Sequence, residues 1–456
     1  MPCIDRRLRT EGPRIKKKSA AIASTAIAAL FITSFSMLLI NTDDSTDSPT
    51  MVSYKTHYPI LINNSADFAY QAALTENMWP GNGSEESPYV IEGLNISAST
   101  AHGIYIKNTN AHFIVRDCYI HGGGASYNGI FLSGCRNGTL VSNVCSNNRY
   151  SIAVGGSAGN ILINNICSNN DLVGIGITSS SHNNTLMNNT CSVSDFGIYI
   201  SVSNDNILIN NTCSGNSNEG LSLSASCHRN ILTSNTCTNN VNDGIFLGPS
   251  CRNNSLINNS CTNNNIGIWV GYTDNLLYNN NCSNNDRGIA ICGGARNTLI
   301  GNNASNNSQF GMVIYYPANN NTISYNRISN NGGYGVYIYI FVGTIPKNNT
   351  IWNNTLVGNN GGGIQGYDDG VDNHWNSSSG YGNYWSDLTG PDNEAPYGIV
   401  DWSYNLTGTA NATDLYPLTD KPSPPMIPEF SDVLIPMAGL TLVALLLGRG
   451  RKWRAR

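Results

Sequence analysis

The chain has 456 residues, 40% of them hydrophobic and only 12% charged. That composition excludes a disordered chain, which would be highly charged and poor in apolar residues. The formal charge of −5 is uneven: seven of the 24 basic residues lie in 1–18 and five in 449–456, which leaves 12 basic against 27 acidic between them. So acidic a middle is a poor partner for nucleic acid.

Residues 1–18 read as a basic cytoplasmic segment, with Arg6, Arg7, Arg9, Arg14 and Lys16 to Lys18. The uncharged run 19–40 follows, and then the acidic NTDDSTDS. Twenty-two residues are enough to span a bilayer, and basic before acidic places the N-terminus inside and the rest outside. The run serves as a signal peptide or as a transmembrane anchor. Residues 41–85 form a linker and N-terminal cap. Within them, SADFAYQAALTENMW (65–79) has the pattern of a short helix with Ser65 or Asp67 as its cap.

From 86 to 366 the chain repeats itself. One column runs Ile96, Ile120, Cys145, Cys167, Cys191, Cys213, Cys237, Cys261, Cys282, Ala304, Ile328, Leu356, with steps of 21 to 28 residues. Five residues earlier stands an aliphatic residue, from Leu140 to Ile351. Two residues earlier stands Asn in ten successive coils: Asn143, Asn165, Asn189, Asn211, Asn235, Asn259, Asn280, Asn302, Asn326, Asn354. Further Asn columns lie seven before and three after. Apolar residues alternate at period two and break at Asn or Gly, so each coil is a set of very short strands. This predicts an all-β, right-handed parallel β-helix of about twelve coils. A leucine-rich repeat is the alternative, but it needs more Leu and a helical outer segment. Stacked coils place like residues about 4.8 Å apart, so Asn amides form ladders. Asn also suits corners that need left-handed backbone. The Cys column reads as buried core, with free thiols, because parallel side chains hold Cβ atoms beyond the usual disulfide separation of about 3.8 Å. A thiolate ladder for a soft metal is the alternative.

Residues 367–420, rich in aromatics and turns, read as a C-terminal cap that leaves the repeat. Residues 421–432 are a Pro-rich linker ending in Pro428-Glu429-Phe430, residues 433–447 a hydrophobic tail, and residues 448–456 a basic tail. This tripartite end resembles the PEF-type C-terminal sorting signal of archaeal surface proteins. The resemblance implies a sorting protease and a lipid-anchored mature end; a plain C-terminal membrane anchor is the alternative.

Ile60 to Phe68, GNGSEESPYVIEGLNI (81–96), coils of the form GIxI…NxLxNNxCSxN, GNYWSDLTGPD (382–392) and DLYPLTD (414–420) together resemble the NosD-type β-helix proteins. These belong to the CASH group of carbohydrate-binding proteins and sugar hydrolases. The likeness spans about 60–420. It implies an exported β-helix, and its founding members are linked to maturation of a copper site. Where the family often has an Asp-rich run, this chain keeps only Asp392-Asn393-Glu394, so a calcium loop is not carried over. No His, Met and Cys cluster reads as a copper site. No cofactor is therefore expected, and neither calcium nor copper has a ligand set in the sequence.

Two kinds of outward residue are candidates for function. Asp171 and Asp195 stand four after the Cys column in adjacent coils, a spacing that suits a paired-carboxylate hydrolase; solvated turn residues are the plainer reading. Tyr105, Phe131, Phe246 and Trp269 stand between paired apolar positions and could stack on sugar rings. The expected protein sits on the outer face of the cell membrane and binds envelope glycans or surface-layer proteins, without catalysis. A polysaccharide lyase, epimerase or hydrolase is the first alternative, and a copper-delivery factor the second.

Overall fold

The computed structural model describes residues 54–423, which belong to one compact unit. The expectations for the two terminal hydrophobic runs, and for Pro428, Glu429 and Phe430, lie outside the described residues. No helix among the described residues is long and apolar enough to cross a membrane.

The repeats wind into a parallel β-helix of right-handed type with about eleven turns, slightly fewer than the twelve expected. Three sheets run its length. The long sheet has 13 strands, from Ile60–Ile62 to Gly366–Asp368. The leucine sheet has 12, from Tyr89–Glu92 to Thr350–Trp352. The cysteine sheet has nine strands, from Lys55–His57 to Ser260–Thr262. Single bridges through Asn281 and Asn303 carry it to three more strands that end at Tyr384–Trp385. Strand pairing is in strict register: Leu162 lies on Leu186, and Cys167 on Cys191.

One coil shows why the sequence folds this way. Ser255–Ile257 lies in the leucine sheet, Ser260–Thr262 in the cysteine sheet and Ile266–Val270 in the long sheet. Leu256, Cys261, Ile268 and Val270 all point inward and are fully buried. The corners divide two tasks between neighbouring residues. Asn258 and Asn263 take left-handed backbone, with φ of 54° and 57°. Asn259 and Asn264, one residue on, point their amides into the core. Asn259 Nδ2 donates to Leu232 O and to Asn280 Oδ1, both at 2.9 Å, while its Oδ1 accepts from the backbone N–H and Nδ2 of Asn235. Each rung thus ties three coils together and leaves no buried amide atom unpaired, which is why so polar a residue is tolerated at 1% exposure. The sequence reading assigned both tasks to the ladder residue.

The cysteine columns are core, as expected. Cys118, Cys135, Cys145, Cys167, Cys191, Cys213, Cys227, Cys237, Cys251, Cys261 and Cys282 are unpaired thiols, each at 0% exposure. Burial pushes the Cys145 and Cys261 thiols well up, so they stay protonated and behave as small apolar side chains.

The helix ends differ from expectation in two details. The N-terminal helix, α1, spans Ser65–Ala73, and its cap is Asn64 rather than Ser65 or Asp67. Asn64 Oδ1 accepts from the Asp67 N–H at 2.9 Å, while the Asp67 carboxylate turns back to the Asn63 N–H at 2.8 Å. Through α1, Phe68 seals the first coil by stacking on Tyr89 at 4.6 Å between centroids. At the other end the repeat does not stop at 366. Asn354 donates to Asn383 Oδ1, Asn349 to Asn373 Oδ1, and Leu356 pairs with Trp385. The cap extends both ladders by one more rung, and it replaces the Cys column with a buried indole. Asp414 locks it in place: its Oδ2 accepts from Asn383 N–H at 2.7 Å and from Trp385 Nε1 at 2.9 Å. The GNYWSD and DLYPLTD motifs are therefore two halves of one structural contact.

Candidate functional site

The outer face of the long sheet concentrates the chain's unusual surface chemistry. Twelve strand spacings make it roughly 55–60 Å long. Each coil contributes a central outward residue, and a ring there meets its neighbour in register. Tyr105 stacks on Phe131 at 4.6 Å and 6°, Phe246 on Trp269 at 4.6 Å and 15°, and Tyr337 meets Tyr367 at 4.9 Å. Sequence reasoning had singled out the first two pairs, and the structure brings both together. The Phe246 and Trp269 rings lean along the strand over glycine: a Cβ at Gly248 would sit 2.7 Å from Phe246 Cε1, and one at Gly271 would sit 2.1 Å from Trp269 Cζ3. The aromatic-x-Gly spacing in Phe246-Leu247-Gly248 and Trp269-Val270-Gly271 is the sequence trace of that packing.

A second outward column was missed. Its members precede the Gly, or in one coil Ser151, that leads into each strand: His102, Asn128, Tyr150, Val173, Phe196, Glu219, Asp243, Ile266, Arg287, Phe310, Tyr334. Strict alternation from Ile245 would turn Asp243 inward. The chain bends at Gly244, where a Cβ would point into the core 2.8 Å from Cys261 Cβ, and the residue before it faces out. Phe310 accordingly stacks on Tyr337 at 4.6 Å, and Phe196 meets Tyr199 at 5.3 Å.

Along this column the electrostatics change sign. Near the N-terminal end, Lys107 Nζ lies 5.0 Å from the centre of the Tyr105 ring, and the Arg149 guanidinium 5.7 Å from that of Tyr150. His102 sits edge-on to Tyr105, Tyr127 and Phe131, and its Nδ1 accepts from the Asn128 N–H at 2.9 Å. Burial, reinforced by Arg149, lowers its pKa and favours the neutral ring. Mid-sheet stand two acids in register, Glu219 and Asp243, two residues before the paired Leu221 and Ile245. Burial raises both carboxyl groups, Asp243 well above its ordinary range, with each other's charge adding to the effect at Asp243 and Arg287 opposing it.

The other expected pair lies elsewhere. Asp171 and Asp195 are in register on the turn between the cysteine sheet and the long sheet. Asp171 is exposed, and Asp195 Oδ1 accepts from Ser217 Oγ at 2.6 Å. Asp286 repeats that bond with Ser308 at 2.6 Å, so the position works as a turn contact. His182 and His228 bracket Asn204: His182 Nδ1 accepts from its N–H at 2.9 Å, and the His228 N–H donates to its Oδ1 at 2.7 Å. In the cap, Asp392 Oδ2 accepts from the Gly398 N–H, and the Asp401 carboxylate from the Asn393 and Glu394 N–H groups.

A parallel β-helix with stacked Asn ladders, sealed thiol columns and an aromatic long sheet defines a repeat protein of the β-solenoid class. A family model described as "Periplasmic copper-binding protein (NosD)" matches residues 85–266 and 227–390. The chain belongs to the NosD family. No curated protein matches it in sequence. Among solved structures it is similar to the periplasmic alginate epimerase AlgG, with 15% identity, 71% of this chain and 85% of that one covered, and a TM-score of 0.43. It is also similar to the A-module of the Azotobacter vinelandii mannuronan C-5 epimerase AlgE6, with 15% identity, 71% and 88% covered, and a TM-score of 0.44. An alginate lyase from Paenibacillus sp. str. FPU-7 matches with 11% identity, 62% and 99% covered, and a TM-score of 0.40.

The family description raises the question of copper. Among the described residues no group of three or more His, Cys, Asp and Glu is placed to hold a metal. The ladder thiols are sealed in the core, and the Nδ1 atoms of His102 and His182 already accept backbone N–H groups. This donor set does not fit a copper centre.

Proposed function

We propose that the protein is an exported, cell-surface β-helix that binds glycan chains along the outer face of its long sheet, without catalysis. The observation that carries this reading is the row of stacked rings on a rigid flat sheet, Tyr105–Phe131, Phe246–Trp269 and Phe310–Tyr337. Rings present apolar area and a polarised face to the C–H side of a sugar, and a pre-ordered sheet loses little entropy on binding. The run at 19–40 would export the chain, and the run at 433–447 with its basic end would tether it. Envelope glycans or surface-layer proteins are the partners this placement suits. A glycan array probed with the purified protein tests the reading: binding that Tyr105→Ala and Phe246→Ala each weaken supports it, and an array with no binder contradicts it. The family description favours copper handling as a second reading. Stoichiometric copper binding by the purified protein would support that reading, through residues beyond those described.

A further inference from the structure

We infer that Glu219 and Asp243 form a saccharide subsite on the long sheet, beside the Phe246–Trp269 stack, and that it takes an uncharged, hydroxyl-rich sugar ring. The inference rests on the glycan-binding reading above and names the class of sugar. The two acids differ from the paired and bonded carboxylates of the described chain. Asp205 pairs with Arg229 at 2.7 Å, Asp274 with Arg296 at 2.8 Å, and Glu92 with Arg116. Asp414 and Asp368 are buried but fully bonded by backbone and indole N–H groups. Asp243 is only 7% exposed, and no hydrogen bond reaches its carboxyl group from the described residues. Glu219 Oε2 is sealed from solvent and also has no partner among them.

A buried acceptor without a donor costs about 1–3 kcal/mol; Glu219 Oε2 is one, and Asp243 stands one strand spacing away, about 4.8 Å. A ligand that brings donors relieves that cost. Vicinal sugar hydroxyls do so, because each can donate to a carboxylate or accept from a protonated carboxyl group, while the ring packs on the neighbouring aromatics. A uronate would bring a further negative charge to a site where burial already disfavours the charged form of both carboxyl groups. A hard cation would need six or more oxygen ligands, and the site offers two carboxyl groups. Arg287, two coils on in the same column, also disfavours a cationic ligand. It is held outward by Gln309, to which its Nε donates at 3.2 Å.

The test titrates the full chain with neutral hexose oligosaccharides and, in parallel, with uronate oligosaccharides, following indole fluorescence and heat. Neutral oligosaccharides should bind at least about tenfold more tightly than uronates. Glu219→Gln and Asp243→Asn, which keep the shape, should each weaken neutral binding about tenfold or more with the unfolding midpoint unchanged or raised. Uronates binding as well as neutral sugars, or neutral binding within twofold in both variants, would overturn the inference. If sugar binding persists in both variants but is lost in Tyr105→Ala, the glycan reading stands and this subsite falls. If no saccharide binds at all, both fall.

Discussion

The inside of the coil and the outer face of the long sheet are built on opposite rules. Inside, long runs of positions repeat, Cys over Cys, Leu over Leu, Asn over Asn, and the ladder amides are bonded to the coils on either side. On the outer face the central column runs Tyr105, Phe131, Ala153, Gly176, Tyr199, Ser222, Phe246, Trp269, changing residue type at every step of that stretch, and only at Tyr337 and Tyr367 does one type follow itself. Repetition is what stacking demands. Variation on a scaffold that repeats so strictly marks the surface released from that demand. The two regions also treat polar groups differently. The ladder satisfies its buried amides, whereas the outer face leaves Glu219 Oε2 buried without a partner among the described residues.

If that contrast is right, interior changes should damage stability and face changes should not. The largest effect is expected for Asn259→Ala. It strands the buried N–H groups of Asn235 and takes the side-chain donor from the Leu232 carbonyl, while Asn280 Oδ1 keeps only the backbone N–H of residue 259, for a loss on the order of 3–5 kcal/mol. Hydrogen exchange should show the opening centred on these neighbouring coils, because repeats couple to nearest neighbours. A urea midpoint equal to that of the parent protein would show that the ladder is ornamental.

Asp414 tests the cap. Burial raises its carboxyl group to about 6, so the folded cap holds a proton that the unfolded chain has lost above about pH 4. The contribution of this group to stability is fully present below pH 4 and declines as pH rises to 6, by about 2–3 kcal/mol. Urea midpoints of Asp414→Asn across pH 4 to 7 should lack that decline relative to the parent. The absolute stability should drop as well, since the new amide sets a donor against the Tyr416 N–H that Asp414 Oδ1 now accepts. An unchanged pH slope would mean that Asp414 is ionised throughout.

The smallest effect has the opposite sign. Val193 stands at a left-handed corner, φ 52°, in a column where Asn147, Asn169, Asn239 and Asn263 take the same conformation, and it is 56% exposed. A β-branched residue is costly there and gives up little packing. Val193→Asn should therefore raise stability by about 1 kcal/mol, read as a higher thermal midpoint. A lower midpoint would mean that Val193 packs more usefully than its exposure implies.

How much of this was open to sequence reasoning follows from the same contrast. The Asn and Cys columns were legible because stacking forces like onto like, so the period, the register and the buried face could all be read from spacing. The aromatic pairs were found because Tyr105 and Phe131, or Phe246 and Trp269, occupy one column in adjacent coils. Asp243 and Glu219 were missed because a period-two reading from Ile245 points them inward. Only the bend at Gly244, where the backbone turns its Cα toward Cys261, reverses them. The cap was misjudged for a related reason. Asn383 and Trp385 keep the ladder and the column, but they lie 29 residues beyond Asn354 and Leu356, past a long insertion that breaks the ruler. Asp171 and Asp195 share a register, yet register alone does not distinguish a turn contact from a reactive pair.

The central claim is that the long sheet's outer face serves binding and not stability. Trp269→Ala tests it most directly, with unfolding and glycan titration measured on the same preparation. The predicted result is loss of saccharide binding with an unfolding free energy within about 1 kcal/mol of the parent, as expected of a surface change away from the core. A variant that unfolds several kcal/mol earlier, or that binds glycan as the parent does, would contradict it.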